Sequence, residues 1–136
     1  MGSASVILLD TCAIIWDALD PGKLSAAARS AMDRANQHSA LIMSDISCWE
    51  LAMLVSRGRL KISSSSSELL NLYLQSRSIA VQAISPEIAE LSVNFDASVS
   101  KDPADRIIAA TSILHNARLV TAVQNLLRNP LLDTVW

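Results

Sequence analysis

The sequence predicts an α/β domain built on a largely parallel sheet. Short apolar runs alternate with segments of helical pattern along the whole chain. Several helical segments open on a plain capping signal: Ser25 before an alanine-rich run, Ser85 before Pro86, and Asp102 before Pro103. No internal repeat and no long linker interrupts the alternation. The 136 residues fit one domain, read as residues 1–136. A chain of this length buries roughly two thirds of its extended surface, so its core needs no staples.

Taken in order, residues 5–9 are apolar and end at Asp10-Thr11, which reads as a buried central strand. Residues 12–19 form a short helix stopped by Asp20-Pro21-Gly22. Ala26, Ala27, Ala28, Ala31 and Ala35 are strong helix formers and set a helix over 25–37. A second strand covers 40–43. Ser44 or Ser47 caps the next helix, which runs to Val55 and is broken by Arg57-Gly58-Arg59. Residues 60–62 are ambiguous. The serine run 63–67 is a loop or a helix lead-in, with the helix itself over 68–75. A third strand, 79–84, leads into the helix that Ser85-Pro86 starts, with Ile88 and Leu91 marking its face. Residues 94–100 are a loop. The helix after it runs to about His115, with Ile107, Thr111 and Leu114 on one face. Residues 118–121 are a fourth strand, 124–128 a short helix and 134–136 an edge strand.

Apolar residues make 51% of the chain and charged residues 18%, so some apolar surface is available for a partner chain. Net charge is -2, from 11 basic and 13 acidic residues, with none of the basic excess that announces nucleic-acid binding. Acids that hold a metal would make the working surface more positive than this count. Cys12 and Cys48 sit in apolar surroundings and read as small buried hydrophobes rather than a disulfide. No run approaches the roughly 20 apolar residues that span a membrane. No signal-like opening is visible, and Gly2 alone is no case for lipid attachment. A cytoplasmic location is the expectation.

The chemistry gathers on acids. Asp10 follows the first strand, and in a parallel sheet ligands collect beyond the carboxyl ends of strands. Glu50 lies early in the helix after the second strand. Asp105 lies early in the helix before the fourth, one turn after Asp102. Each has a plainer reading: Asp102 and Asp105 as helix caps, Glu50 as a solvated outer residue. Should they converge, their like charges repel and raise one another's pKa values, and a divalent cation relieves that. An oxygen-only donor set points to Mg2+ or Mn2+ rather than zinc. The chemistry that suits such a site is phosphodiester hydrolysis by activated water. Thr11 either orients Asp10 or caps the first turn. Arg106 either pairs with an acid or reaches phosphate. Arg57 and Arg59 flank a glycine, as a solvated turn or a thin phosphate contact. His38 and His115 belong to a polar loop and a helix end. There is no glycine-rich phosphate loop, no metalloprotease histidine pair and no nucleophile elbow.

In this order and spacing, several short pieces match a known family. They are Leu8-Leu9-Asp10-Thr11, Leu24-Ser25-Ala26-Ala27-Ala28, Ser47-Cys48-Trp49-Glu50-Leu51-Ala52, Arg57-Gly58-Arg59-Leu60, Asp102-Pro103-Ala104-Asp105-Arg106 and Leu119-Val120-Thr121-Ala122. Leu126-Leu127 and Trp136 also fit. Over nearly its whole length the chain resembles the PIN-domain ribonucleases, and among them the VapC-type toxins of bacterial toxin–antitoxin pairs. The resemblance implies a PIN-like three-layer α/β sandwich with helices on both sides of the sheet. It implies an endoribonuclease dependent on Mg2+ or Mn2+, cutting RNA needed for translation such as tRNA or rRNA. The family's acids fall on Asp10, Glu50 and Asp105, with the metal on Asp10 and Asp105. Asp102, Thr11, Ser47 and Arg106 are supporting candidates. The implied partners are a cognate antitoxin and a second copy, as a homodimer or a heterotetramer or larger with antitoxin.

One position departs from the family pattern. The acid that usually follows Thr-Ala after the fourth strand is here Val123, in Thr121-Ala122-Val123-Gln124. An apolar side chain cannot act as an oxygen ligand, and Gln124 or Asn125 supplies no charge. The alternative reading is therefore a PIN-fold protein that binds antitoxin with weakened or lost nuclease activity.

Overall fold

In the computed structural model, which describes residues 5–136, five strands form one sheet. They are β1 (Ile7–Leu9), β2 (Leu41–Ser44), β3 (Ile79–Gln82), β4 (Arg118–Val120) and β5 (Thr134–Val135). All pair in parallel, in the order β3-β2-β1-β4-β5. The helices are α1 (Thr11–Leu19), α2 (Ala26–Gln37), α3 (Ile46–Ser56), α4 (Ser66–Ser76), α5 (Pro86–Asn94), α6 (Pro103–Leu114) and α7 (Gln124–Leu127). The reading of Gly2 lies outside the described residues.

Alternation along the strands divides the core in two. Ile7, Leu9, Leu41, Met43 and Val120 pack with Ile14 of α1, Met32 of α2, Leu51 of α3 and Tyr73 of α4. Leu8, Ile42 and Leu119 point the other way, onto Ile108 and Ala109 of α6 and Leu126 of α7. The result is the expected three-layer sandwich. A buried-edge clamp ties the first layer: Asp17 on α1 accepts from Tyr73 Oη at 2.7 Å and from Arg77 Nη2 at 2.7 Å, and Arg77 Nη1 reaches Asp33 of α2 at 3.3 Å. Chain order reverses at the middle of the sheet, where β1 lies between β2 and β4. The crevice beyond the carboxyl ends of β1 and β4 is therefore the switch point at which open parallel sheets take ligands.

The caps form as read. Ser25, Ser85 and Asp102 accept from the backbone N–H groups of Ala28, Ile88 and Ala104 at 3.0, 3.1 and 2.8 Å. The serine run proves to be the helix lead-in, with Ser65 accepting from Glu68 N at 3.2 Å. Gly58, at φ +70°, turns the chain after α3, where a side chain would be strained. Residues 60–62 take no regular structure.

Several expectations are corrected. Strands β1 and β3 are shorter than the apolar runs that mark them: β1 starts only at Ile7, opposite the first residue of β2, and β3 stops at Gln82, opposite the last. Ser47 does not cap α3. It is buried and its hydroxyl faces Thr11, while Ser44 Oγ accepts the Ile46 N–H at 3.2 Å. The inward face of α6 is set by Ala104, Ile108, Thr111 and Ser112; Leu114 is exposed and Ile107 half-buried. Small side chains let α6 approach its neighbours closely on that face. Cys12 is exposed and Cys48 half-buried, and both are free thiols.

Candidate functional site

Asp10 stands one residue past β1 and caps α1, its Oδ1 accepting from Ala13 N at 2.8 Å. Its own N–H bonds to Val120 O at 3.2 Å, which anchors it across the β1–β4 crevice. Only 3% of it is exposed. Burial pushes its carboxyl up to about 6, repulsion from Asp105 adds to this, and hydrogen bonds from the Thr121 hydroxyl and Ala13 N–H pull back.

The next residue joins two helices. Thr11 is buried, donates to Glu50 Oε1, and lies 2.9 Å from Ser47 Oγ. Glu50 is thus drawn inward rather than left on an outer face. Burial raises its carboxyl, the Thr11 hydroxyl opposes this, and Asp102, Asp105 and Asp10 add repulsion. Asp105 is in the first turn of α6 and accepts from Ser100 Oγ at 3.2 Å. Burial and then repulsion by Asp102 raise it, and the Ser100 bond opposes them. Ser100 Oγ also takes the Asp102 N–H at 3.1 Å, so one hydroxyl links the cap to the acid below it.

Asp10, Glu50 and Asp105 therefore share one electrostatic field. The Cys12 thiol lies in the same field: partial burial, then Asp10, Glu50 and Asp105, push it up to about 11. No salt bridge among the described residues neutralises any of the three acids. Among those residues, too, no group of three His, Cys, Asp or Glu side chains is gathered tightly enough to hold an ion.

The other sequence candidates fall as follows. Asp102 is exposed and caps α6. Arg106 neither pairs with an acid nor points to solvent for phosphate. Its guanidinium is spent on backbone carbonyls: Ser92 at 2.9 Å, Asp96 at 3.1 Å, Ser100 at 2.9 Å, Val93 at 3.3 Å, and Phe95. It clamps the α5–α6 loop, whose unpaired carbonyls need a donor with five N–H groups. Val123 is half-buried and packs against the α6 side of the core; its N–H bonds to Thr121 Oγ1 at 3.1 Å. Gln124 and Asn125 are exposed on α7. His38 Nδ1 lies 2.9 Å from Arg34 O at a helix end, and His115 ends α6. Residues that sequence reasoning did not single out are Thr121, fully buried against Asp10, and Ser100. A lone hydroxyl directly after an apolar strand was the signal for Thr121; it repeats the placement of Asp10-Thr11 after β1.

A family model described as the PIN domain matches residues 7–128. The chain belongs to the PIN-domain family. Within that family its homology is to the VapC-type toxins: Ribonuclease VapC22 of Mycobacterium tuberculosis is 34% identical over 134 residues, 97% of this chain and 99% of that protein. Two solved structures share the fold at low identity. VapBC2 from Rickettsia felis, bound to a DNA fragment from their promoter, aligns with TM-score 0.73 and 18% identity over 96% of this chain and 97% of that one. A toxin–antitoxin complex from Klebsiella pneumoniae aligns with TM-score 0.64 and 23% identity over 96% of each chain.

Proposed function

We propose that this chain is the toxin of a toxin–antitoxin pair and a divalent-metal-dependent endoribonuclease. The observation that carries this is a buried acid at the sheet's switch point, raised to about 6 and repelled by a second acid, with no salt bridge to either among the described residues. Oxygen donors of that kind suit Mg2+ or Mn2+. Asp10 and Asp105 would hold the ion. Mg2+ commonly takes only one or two carboxylates and keeps several waters, so the site needs no third side chain. What a bound ion supplies is Lewis-acid charge at the phosphodiester and a more acidic attacking water.

The remaining roles belong to the chain's own groups. Glu50, fixed by the Thr11 hydroxyl, accepts a hydrogen bond or proton from the attacking water. Ser47 holds Thr11 in turn. Thr121 and the Ala13 N–H keep the Asp10 carboxylate in one orientation. Asp102 holds the start of α6, and with Ser100 it fixes where Asp105 stands. Arg106 supports that arrangement from behind.

The Klebsiella structure is a toxin–antitoxin complex, which supports a cognate antitoxin as partner here. A homodimer, joined by antitoxin into a heterotetramer or larger, follows the same reasoning. No described helix is long and apolar enough to cross a membrane. The second reading, an antitoxin-binding protein with weakened nuclease activity, is favoured by Val123, whose side chain packs into the core instead of supplying an acid.

The test is cleavage of a tRNA and rRNA panel with Mg2+ or Mn2+. Asp10→Ala should abolish cleavage; a variant that cuts as fast as the original protein would refute the assigned site. A pure protein that never cuts while binding antitoxin would favour the second reading.

A further inference from the structure

Beside the acids lies a groove that the roles above leave unused. It encloses about 770 Å³ between α3 and the start of α6. Trp49, Met53 and Arg57 line one wall, and Lys101, Asp102 and Ile107 the other. Trp49, Met53 and Arg57 are spaced four residues apart, so they form a single stripe along α3. The stripe begins one residue from Glu50, which also lines the groove. At its head the Trp49 indole is 59% exposed, a large apolar surface left to solvent. Arg57, one residue past the end of α3, and Lys101, just before α6, also line the groove, and both are exposed. Neither cation takes part in a salt bridge among the described residues.

We infer that this groove is the subsite for an unpaired nucleotide next to the scissile phosphate. Trp49 stacks on the base, and Arg57 and Lys101 hold flanking phosphates. The inference rests on the nuclease reading and adds to it which side chains hold the nucleotide beside the cut: Trp49 the base, Arg57 and Lys101 the phosphates. Three features favour RNA over a protein segment. The volume falls within the about 300–1,000 Å³ of small-ligand clefts. The exposed apolar surface centres on one flat aromatic ring, which every base can stack upon. Two unpaired cations answer a polyanion, and the groove ends on Glu50, beside the acids that would receive the phosphate. A duplex offers no free base face to an indole, which is why the strand must be unpaired here.

The inference is tested by fluorescence anisotropy of a labelled, mixed-sequence single-stranded oligoribonucleotide on the full chain in EDTA, where no cleavage intervenes. Trp49→Ala should weaken binding about ten-fold, as loss of one stacked base does. Trp49→Phe should restore most of it, because a flat ring remains. Arg57→Ala and Lys101→Ala should each flatten the salt dependence by about one ion. A blunt RNA duplex should bind weakly and be indifferent to Trp49. Absence of oligoribonucleotide binding by the unaltered chain, or equal binding by Trp49→Ala, overturns the inference. So does quenching of Trp49 by a basic amphipathic peptide and not by RNA, which would assign the groove to a protein partner. Trp49-dependent binding without cleavage in Mn2+ would instead sink the nuclease reading and leave the subsite standing.

Discussion

A carboxylate buried as deeply as Asp10 makes the stability of the fold sensitive to pH. Its folded pKa of about 6 lies above the ordinary 3.8, so between those values the folded state binds more protons than the unfolded one. Stability therefore falls as pH rises through that window, by up to about 3 kcal/mol if no other group compensates. Thermal unfolding of metal-free protein should show a higher Tm at pH 5 than at pH 7.5. Mg2+ or Mn2+ should raise Tm more at pH 7.5. Asp10→Asn, which keeps the cap on Ala13, should reduce the pH dependence and leave the share of Glu50 and Asp105, which burial also raises. Thr121 is the companion residue. Thr121→Val removes the buried acceptor of the Val123 N–H and the hydroxyl that lowers the Asp10 carboxyl, and should destabilise by about 1–2 kcal/mol. At this scale the acids were readable from sequence because charge next to apolar runs is conspicuous. Thr121 and Ser100 were not, because a hydroxyl has a role only once folding decides what stands opposite it. Arg106 was misjudged for a related reason: its carbonyl partners, residues 92–100, are backbone groups that no side-chain pattern announces.

At the level of helices and loops, the site depends on how the starts of α1, α3 and α6 are fastened. Thr11 and Ser47 join α1 to α3, and Ser100 joins the α5–α6 loop to Asp105. Arg106 fixes that loop by its carbonyls, so Arg106→Ala should destabilise by about 2–3 kcal/mol. Arg106→Lys should rescue little, since an ammonium cannot serve so many carbonyls at once. Chemical denaturation of the two variants checks this, and nuclease activity should fall with loop order through Ser100. On the other layer, Arg77→Ala leaves Asp17, buried on its side chain, with only Tyr73 as partner. The caps at Ser25, Ser85 and Asp102 followed from local chemistry and formed as read, whereas Ser47 was drawn away from the start of α3 by Thr11. The inward face of α6 was misread, because that helix is covered on more than one side and a single apolar stripe under-describes it.

For the molecule as a whole, the alternation of strand and helix was enough to give a parallel sheet between two helical layers. The strand order, and with it the switch point beside Asp10, came only with the structure. Val123 tests how complete the site is. Val123 stands at the N-cap of α7 without a side-chain cap bond. Val123→Asp would supply a capping carboxylate and the family's fourth acid, while giving up apolar packing. Its cleavage rate should exceed that of the original chain if the missing acid limits activity. The convergence of Asp10 and Asp105 on one divalent ion is tested most directly by titrating Mn2+ into the full chain at pH 7.5, beside Asp10→Asn and Asp105→Asn. Saturable binding by the original chain, weakened about ten-fold or more in each variant, is the expected result. Equal affinity in all three proteins, or no saturable binding in any, would contradict it.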